Sequence, residues 1–323
     1  MKETASVRLR EQPLHALSRQ ADRGRLYLDQ GAARLRIRSS VKGFIRNLHL
    51  LYGAFPYLPA DTGFADHHVE LRRGRRLRAL IRPQSRFRTD GQEPFEPFPL
   101  HGALPLFEWG INWSFAQRAN QYILLHSGVL ARADQAVIMA APPGSGKSTL
   151  AAAMMLSGFR LLSDEFGVLD PNSGQLLPML KPVALKNQSV DVIRAFSDQA
   201  VIGPLFIGTR KGDVAHLAPN ETSTDGLHRP ARPALVIFPA FEAGATLDCR
   251  LMAGEDAFAH LAFNSFNYHL LGPIGFHAVA DVIAACPAYR LRFGQLEAAI
   301  EQIRSLLDEA DRNTQRAAQG HPK

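Results

Sequence analysis

Residues Ala140 to Asp170 read AAPPGSGKSTLAAAMMLSGFRLLSDEFGVLD, and the order of parts in this stretch decides the fold. The apolar run AVIMA, Ala136 to Ala140, leads into a loop of small residues from Ala141 to Ser148, and an alanine-rich segment follows. Small residues let successive backbone N–H groups curl around phosphate oxygens, and the helix behind such a loop presents its positive end to them. The loop fits the pattern A/G-x-x-x-x-G-K-S/T, with Ala141 where glycine is commoner. Lys147 is then placed to reach the β- and γ-phosphates of a nucleotide, and Ser148 supplies the hydroxyl that ligates Mg²⁺ in such loops. Pro143, Gly144, Ser145, Gly146 and Thr149 complete the expected nucleotide-binding set. The loop speaks for a bound nucleotide and leaves the reaction open.

One helix later stands an acidic pair, Asp164 and Glu165. The segment KSTLAAAMMLSG predicts a helix of roughly three turns ending at Gly158, so FRLLS is expected to return as a strand beside the loop's own strand. No later apolar run ends in an acid; ALVIFPAF, Ala234 to Phe241, has the run without the carboxylate. Two adjacent acids at a strand end can take separate tasks, one holding Mg²⁺ and the other accepting a proton from an attacking hydroxyl. Ser163-Asp164-Glu165 also reads as a solvated turn or a helix N-cap.

Working outward, the 323 residues suggest about two domains. With 46% hydrophobic and 21% charged residues the composition is globular. No apolar run approaches the roughly 20 residues of a bilayer span, and the start MKETASVRLREQ lacks the apolar stretch of a signal peptide, so a cytoplasmic location without membrane insertion is expected. Cys249 and Cys286 stand far apart without metal-ligand spacing and read as reduced thiols. A net charge of +7 favours an anionic partner without choosing among nucleotide, nucleic acid and acidic protein.

Residues 1–22 read as a loosely ordered lead segment, and 23–105 as a β-rich module. Within that module RLYLD and ARLRIRS alternate like strands, SVKGFIRNLHLLYG has helical spacing behind a serine cap at Ser40, and HVELRRGRRLRALIRP reads as a hairpin. EPFEPFPLHGALP, Glu93 to Pro105, is the linker candidate because its prolines cannot continue a helix or a central ladder. From residue 106 to 312 strands and helices alternate, which predicts an α/β domain, and 313–323 form a polar tail.

LLHSGVL, the loop and RLLSDEFGVL together resemble the kinase domain of the HPr kinase/phosphorylase family, where a His-Gly strand, a phosphate loop and an R-L-V/L-x-D-D/E strand follow at these spacings. LFEWGINW and LKNQSVDVIRAF are similar to the exosortase-associated HprK-related kinase A subgroup of that family. The resemblance implies an ATP- and Mg-dependent serine kinase with a phosphoenolpyruvate-carboxykinase-like P-loop fold, acting on a protein or peptide. It implies Asp164 as the catalytic acid that takes the serine proton, Glu165 with Ser148 on the metal side, and His126 beside the catalytic acid. Thr149 stands where the family proper has glutamate, and no ERGxG signature follows Asp170, so neither HPr as acceptor nor phosphorolysis is carried over.

Three further basic residues are candidate phosphate or acceptor contacts. These are Lys186, ahead of a helix, and Arg210 with Lys211 in the glycine loop GTRKGDVAHL. FNSFNYH, Phe263 to His269, reads as core aromatics before a nucleobase shelf. The arginines at 72, 73, 75, 76 and 78 lack aromatic interleaving and read as a charged edge hairpin rather than a nucleic-acid surface. Assembly into identical copies stays open, as do two alternative activities on the same loop: a small-metabolite kinase and a nucleotide-sensing assembly factor with little turnover.

Overall fold

In the computed structural model, residues 7–74, 82–209 and 212–319 are described, with side chains to residue 312 in the last helix. The chain forms two units, each built from two separated stretches: 1–119 with 179–227, and 120–178 with 228–323. Among the described residues no helix is long and apolar enough to cross a membrane.

The lead segment differs from expectation. Helix α1 (Leu14–Asp22) buries Leu17 and Ala21, and Leu9 ahead of it is fully buried. Four-residue spacing of those apolar positions gives one buried stripe, which the surrounding charges mask in the linear sequence. Then β1 (Leu26–Asp29) and β2 (Arg34–Ser39) pair as an antiparallel hairpin. Helix α2 (Lys42–Leu51) buries Phe44, Ile45, Leu48 and Leu51. Its N-cap is Val41 rather than Ser40, and it is Ser39 whose Oγ accepts the Val41 amide, at 3.1 Å. β3 (His67–Arg73), β4 (Gln84–Thr89) and β5 (Phe98–Pro99) complete a five-stranded sheet in chain order. The rest of the predicted hairpin, with Arg75, Arg76 and Arg78, lies outside the described residues.

Glu93 to Pro105 is no linker. Phe95 packs its ring against Phe87 and Trp113, and Phe98 meets Trp109 edge-on, so the segment is held to α3 (Ala103–Arg118) within the same unit. Rings that bury large apolar areas outweigh the local extension that proline imposes.

The second unit starts with β6 (Ile123–Arg132), a hairpin to β7 (Gln135–Ala140), then α4 (Lys147–Leu156), β8 (Arg160–Ser163), β9 (Phe166–Leu169) and β10 (Leu176–Leu177). β8 does not lie beside the loop's strand: it pairs with β6, so β6 separates it from β7. The hairpin partner occupies one edge of β7, and a later parallel strand takes the other.

The chain then returns to the first unit as β11 (Val183–Lys186), α5 (Ser189–Phe196), β12 (Phe206–Thr209), β13 (Gly212–Leu217) and α6 (Glu221–Asp225). Residues 106–119 and 179–227 therefore part from the single 106–312 domain that the linear pattern predicts. Buried polar contacts hold them there. Tyr52 donates to Glu108 at 2.7 Å, Lys181 lies 3.3 Å from the other carboxylate oxygen, and the Leu180 amide donates to the Gln30 carbonyl. Burial pushes the Glu108 carboxyl up, while the Lys181 charge and the Tyr52 hydroxyl pull it back.

The second unit closes with β14 (Arg232–Phe241), β15 (Asp248–Leu251), α7 (Gly254–Phe263), α8 (Tyr268–Leu271), α9 (Pro273–Ala285), β16 (Ala288–Phe293) and α10 (Leu296–Gln319). Its sheet runs β10-β9-β6-β7-β14-β16-β15, with β7, β14 and β16 mutually parallel and β8 also on β6. This is a mixed α/β architecture, as the alternating pattern predicts.

His216 in β13 is buried, and its pKa is pushed down to about 3 by burial first and the Lys181 charge second. An unfolded histidine titrates near 6.5, so between those values the unfolded chain binds more protons. This contribution is complete above about pH 6.5 and is lost as pH falls, by at most about 1.4 kcal/mol per pH unit. Denaturant unfolding across that range should show His216→Leu with the flatter acid limb.

Candidate active site

The phosphate-type loop is held by backbone geometry. All six residues of β7 are buried, which fixes the strand that delivers Ala141 to the loop. Gly144 and Gly146 have φ of +89° and +85°, a left-handed conformation that glycine adopts without strain. Gly146 is also the N-cap of α4 and brings no side-chain acceptor, so the first-turn amides are left for a ligand. From the neighbouring strand, the Phe241 amide donates to the Ser145 carbonyl at 2.9 Å, and a Cβ on Gly146 would stand 2.7 Å from Phe241 Cβ. Pro143 and Gly144 are exposed, Ser148 and Thr149 are half-buried, and Lys147 is buried.

The acidic pair reaches the same sheet edge through β6. β8 and β9 both run antiparallel to β6, in the registers Val129↔Ser163 and His126↔Phe166. Ser127 and Gly128 therefore face Asp164 and Glu165 on one side, and on the other they pair with Ala140 and Met139 of β7. Two strand spacings, roughly 10 Å of backbone, separate the acids from the loop's strand. The Ser163 hydroxyl accepts the amides of Glu165 and Phe166, at 3.3 and 3.0 Å, and fixes the jog that carries the pair. No helix starts there, so the N-cap reading is set aside. Asp164 is 4% exposed, whereas Glu165 is half-buried.

Lys147 spans the gap. Its stem crosses β6 at Gly128, where a Cβ would lie 3.8 Å from Lys147 Cγ, and its ammonium donates to the His126 carbonyl at 3.3 Å. Such a Cβ would be in ordinary contact with the lysine stem and with Ala151, and tightest against Met139 Cε at 3.3 Å, so it is a side chain larger than alanine's that would crowd this point between α4 and β6. On the opposite face, Ser127 Oγ has no hydrogen-bond partner among the described residues, and a Cβ on Gly167 would come within 2.3 Å of it.

His126 is half-buried, with its ring 5.2 Å from that of Phe266, which in turn stands 4.8 Å from Phe166. Residues 264–267 extend the sheet beside the first half of β6: the His126 amide donates to Asn264 O, and the Phe266 amide to Leu124 O. Buried Asn267 completes this edge by accepting from Leu124 N and donating to Tyr122 O, both at 2.9 Å. The stretch FNSFNYH is therefore part wall of this site, and Phe266, Asn267 and Phe241 join the residues that spacing alone did not single out.

The structure brings Lys147, Ser148, His126, Asp164 and Glu165 to one end of one sheet. Lys186 belongs to the first unit, at the end of β11, with an exposed side chain. Arg210 and Lys211 lie outside the described residues. Among those described, no group of three or more His, Cys, Asp or Glu side chains could hold a metal ion. The donor set at the loop, one hydroxyl and carboxylates, suits Mg²⁺ shared with substrate phosphates rather than held in an all-protein cage.

No family model matches the chain, and no curated protein matches it. Among solved structures, the HPr(Ser) kinase/phosphatase from Coxiella burnetii is similar over 59% of this chain and 98% of its own, at 14% identity and a TM-score of 0.28.

Gly146→Ala should strain the backbone and force the loop off Phe241, lowering nucleotide affinity at least about tenfold by equilibrium titration. Gly128→Val puts branched carbons where the Lys147 stem lies. If the loop holds a nucleotide as such loops do, it should weaken binding of a nucleoside triphosphate more than that of the bare nucleoside, measured by competition, because a lysine at this loop position reaches phosphates.

Proposed function

We propose that the protein is an ATP- and Mg-dependent kinase that transfers the γ-phosphoryl group to a hydroxyl, that of a serine in a protein or peptide. The observation that carries this reading is the placement of buried Asp164 across Ser127 and Gly128 from the strand that feeds the glycine loop, with Lys147 laid over that same point. A nucleotide switch or sensor has no use for a proton acceptor there, whereas hydroxyl phosphorylation requires one.

In this reading the amides of the loop and of the first turn of α4 hold the β-phosphate, and Lys147 offsets the charge that spreads over the γ-phosphoryl oxygens. Asp164 accepts the proton of the acceptor hydroxyl as its oxygen attacks phosphorus, and the γ-phosphorus-to-bridging-oxygen bond breaks in line, releasing ADP. Ser148 and Glu165 would hold Mg²⁺, which would supply neutralisation of phosphate charge. His126, with its carbonyl tied to Lys147 and its ring against Phe266, orients the lysine.

The test is transfer of label from γ-labelled ATP, with Mg²⁺, into a lysate of the source cell. Label should enter protein, and Asp164→Asn should lower transfer by at least about 100-fold while ATP still binds. Undiminished transfer in that variant removes Asp164 from the base role, and label confined to small molecules favours a metabolite kinase.

A further inference from the structure

A second concavity belongs wholly to the first unit. It has a volume of ≈ 1060 Å³ and opens where the first turn of α2 meets the ends of β3 and β4 and the turn into α3. Its floor is apolar, from buried Val41, Phe44, Ala103 and Leu104. Its walls carry Lys42, Arg73, Arg82 and His101, and no aspartate or glutamate lines it among the described residues. Among the described residues Lys42, Arg73 and Arg82 form no ion pair.

Elsewhere on the same sheet several arginines stand beside acids, although Arg36 and Arg88 form no ion pair among the described residues. The smaller cavity of ≈ 360 Å³ lined by Arg23, Arg36, Arg38 and Arg88 has Glu70 and Asp90 in its walls, and Glu70 pairs with both Arg38 and Arg72. Arg34 pairs with Asp29, and Arg86 with Glu93. Fixed positive charges gathered around one concave surface with no acid among them repel one another and disfavour the fold. An anion relieves the repulsion. The Phe44 amide is taken by the Val41 carbonyl, but those of Lys42 and Gly43 have no intrahelical acceptor and add donors on the same wall, and at Gly43 a Cβ would meet nothing within 4 Å, so approach to them is open.

We propose that this cavity binds a small organic phosphate. Its phosphoryl group lies against Arg73, Arg82 and Lys42, and its apolar body rests on Val41, Phe44 and Leu104. Two arginine forks suit the oxygens of a doubly charged phosphate ester better than a single carboxylate, and the apolar floor gives an esterified phosphate an advantage over the inorganic ion. The site is independent of the glycine loop, which belongs to the other unit.

Calorimetric titration of the full-length chain with phenyl phosphate tests this, with phenol and inorganic phosphate as comparison probes. Saturable binding of phenyl phosphate is expected, tighter than that of inorganic phosphate and absent for phenol. Arg73→Gln with Arg82→Gln should weaken it at least about tenfold, and Lys147→Ala should leave it unchanged. Lys42→Gln, at an exposed position, gives a second and milder loss that does not depend on the double variant. Unchanged affinity in the double variant, loss in Lys147→Ala, or no saturable binding of phenyl phosphate each overturns the proposal.

Discussion

The second unit depends on the hydrogen-bond saturation of one ten-residue strand, β6. Its second half pairs with β7 on one side and β8 on the other; its first half pairs with β9 and with residues 264–267. A strand bonded along both edges cannot slip, because a shift of one residue would turn every side chain to the opposite face. The candidate site inherits that rigidity: the glycine loop, the acidic pair and the His126–Phe266 contact are all placed by register to the same stretch, His126 to Gly128. Their relative positions are set by backbone ladders, which hold geometry more tightly than long side chains do.

Charge and shape cooperate at that point. Lys147 is buried yet has its ammonium on the His126 carbonyl, so the charge is solvated by the backbone. Its stem passes position 128 at van der Waals distance, where a glycine leaves the space open, and the loop ahead of it keeps its curl because Gly146 can take a positive φ against Phe241. Two glycines thus do different jobs, one in conformation and one in clearance.

The first unit is held by a different device. Its stretch 179–227 is separated from the rest by the strands around the loop, and it is recovered through contacts that are polar and fully buried, with Tyr52, Glu108 and Lys181 as their centre. A lone carboxylate or ammonium in that position would be strongly unfavourable, so the three side chains specify one another. Arg34, Arg38, Arg72 and Arg86 of its sheet pair with acids, and the basic set around α2 differs in being gathered on one concave wall with no acid among the described lining residues.

The strand–loop–helix around Lys147, the acidic pair at a strand end and the alternating α/β pattern were legible in the sequence, because each rests on local periodicity or on residue types that a short loop demands. The lead helix was hidden, since a stripe of Leu9, Leu17 and Ala21 among charges carries little periodic signal over so short a span. The aromatic segment after Glu93 read as a linker because proline rules are local, while the rings of Trp109 and Trp113 that hold it are contributed by a following helix. The order of strands, and with it the insertion of β6 between the loop's strand and the acids, came only from tertiary structure. Ladder partners far apart in the chain are chosen by competition for edges, and no residue pattern near Ser163 records that β7 already has both of its edges filled. For the same reason Gly128, Phe241 and Asn267 became visible only when packing showed which side chain each must avoid or hold.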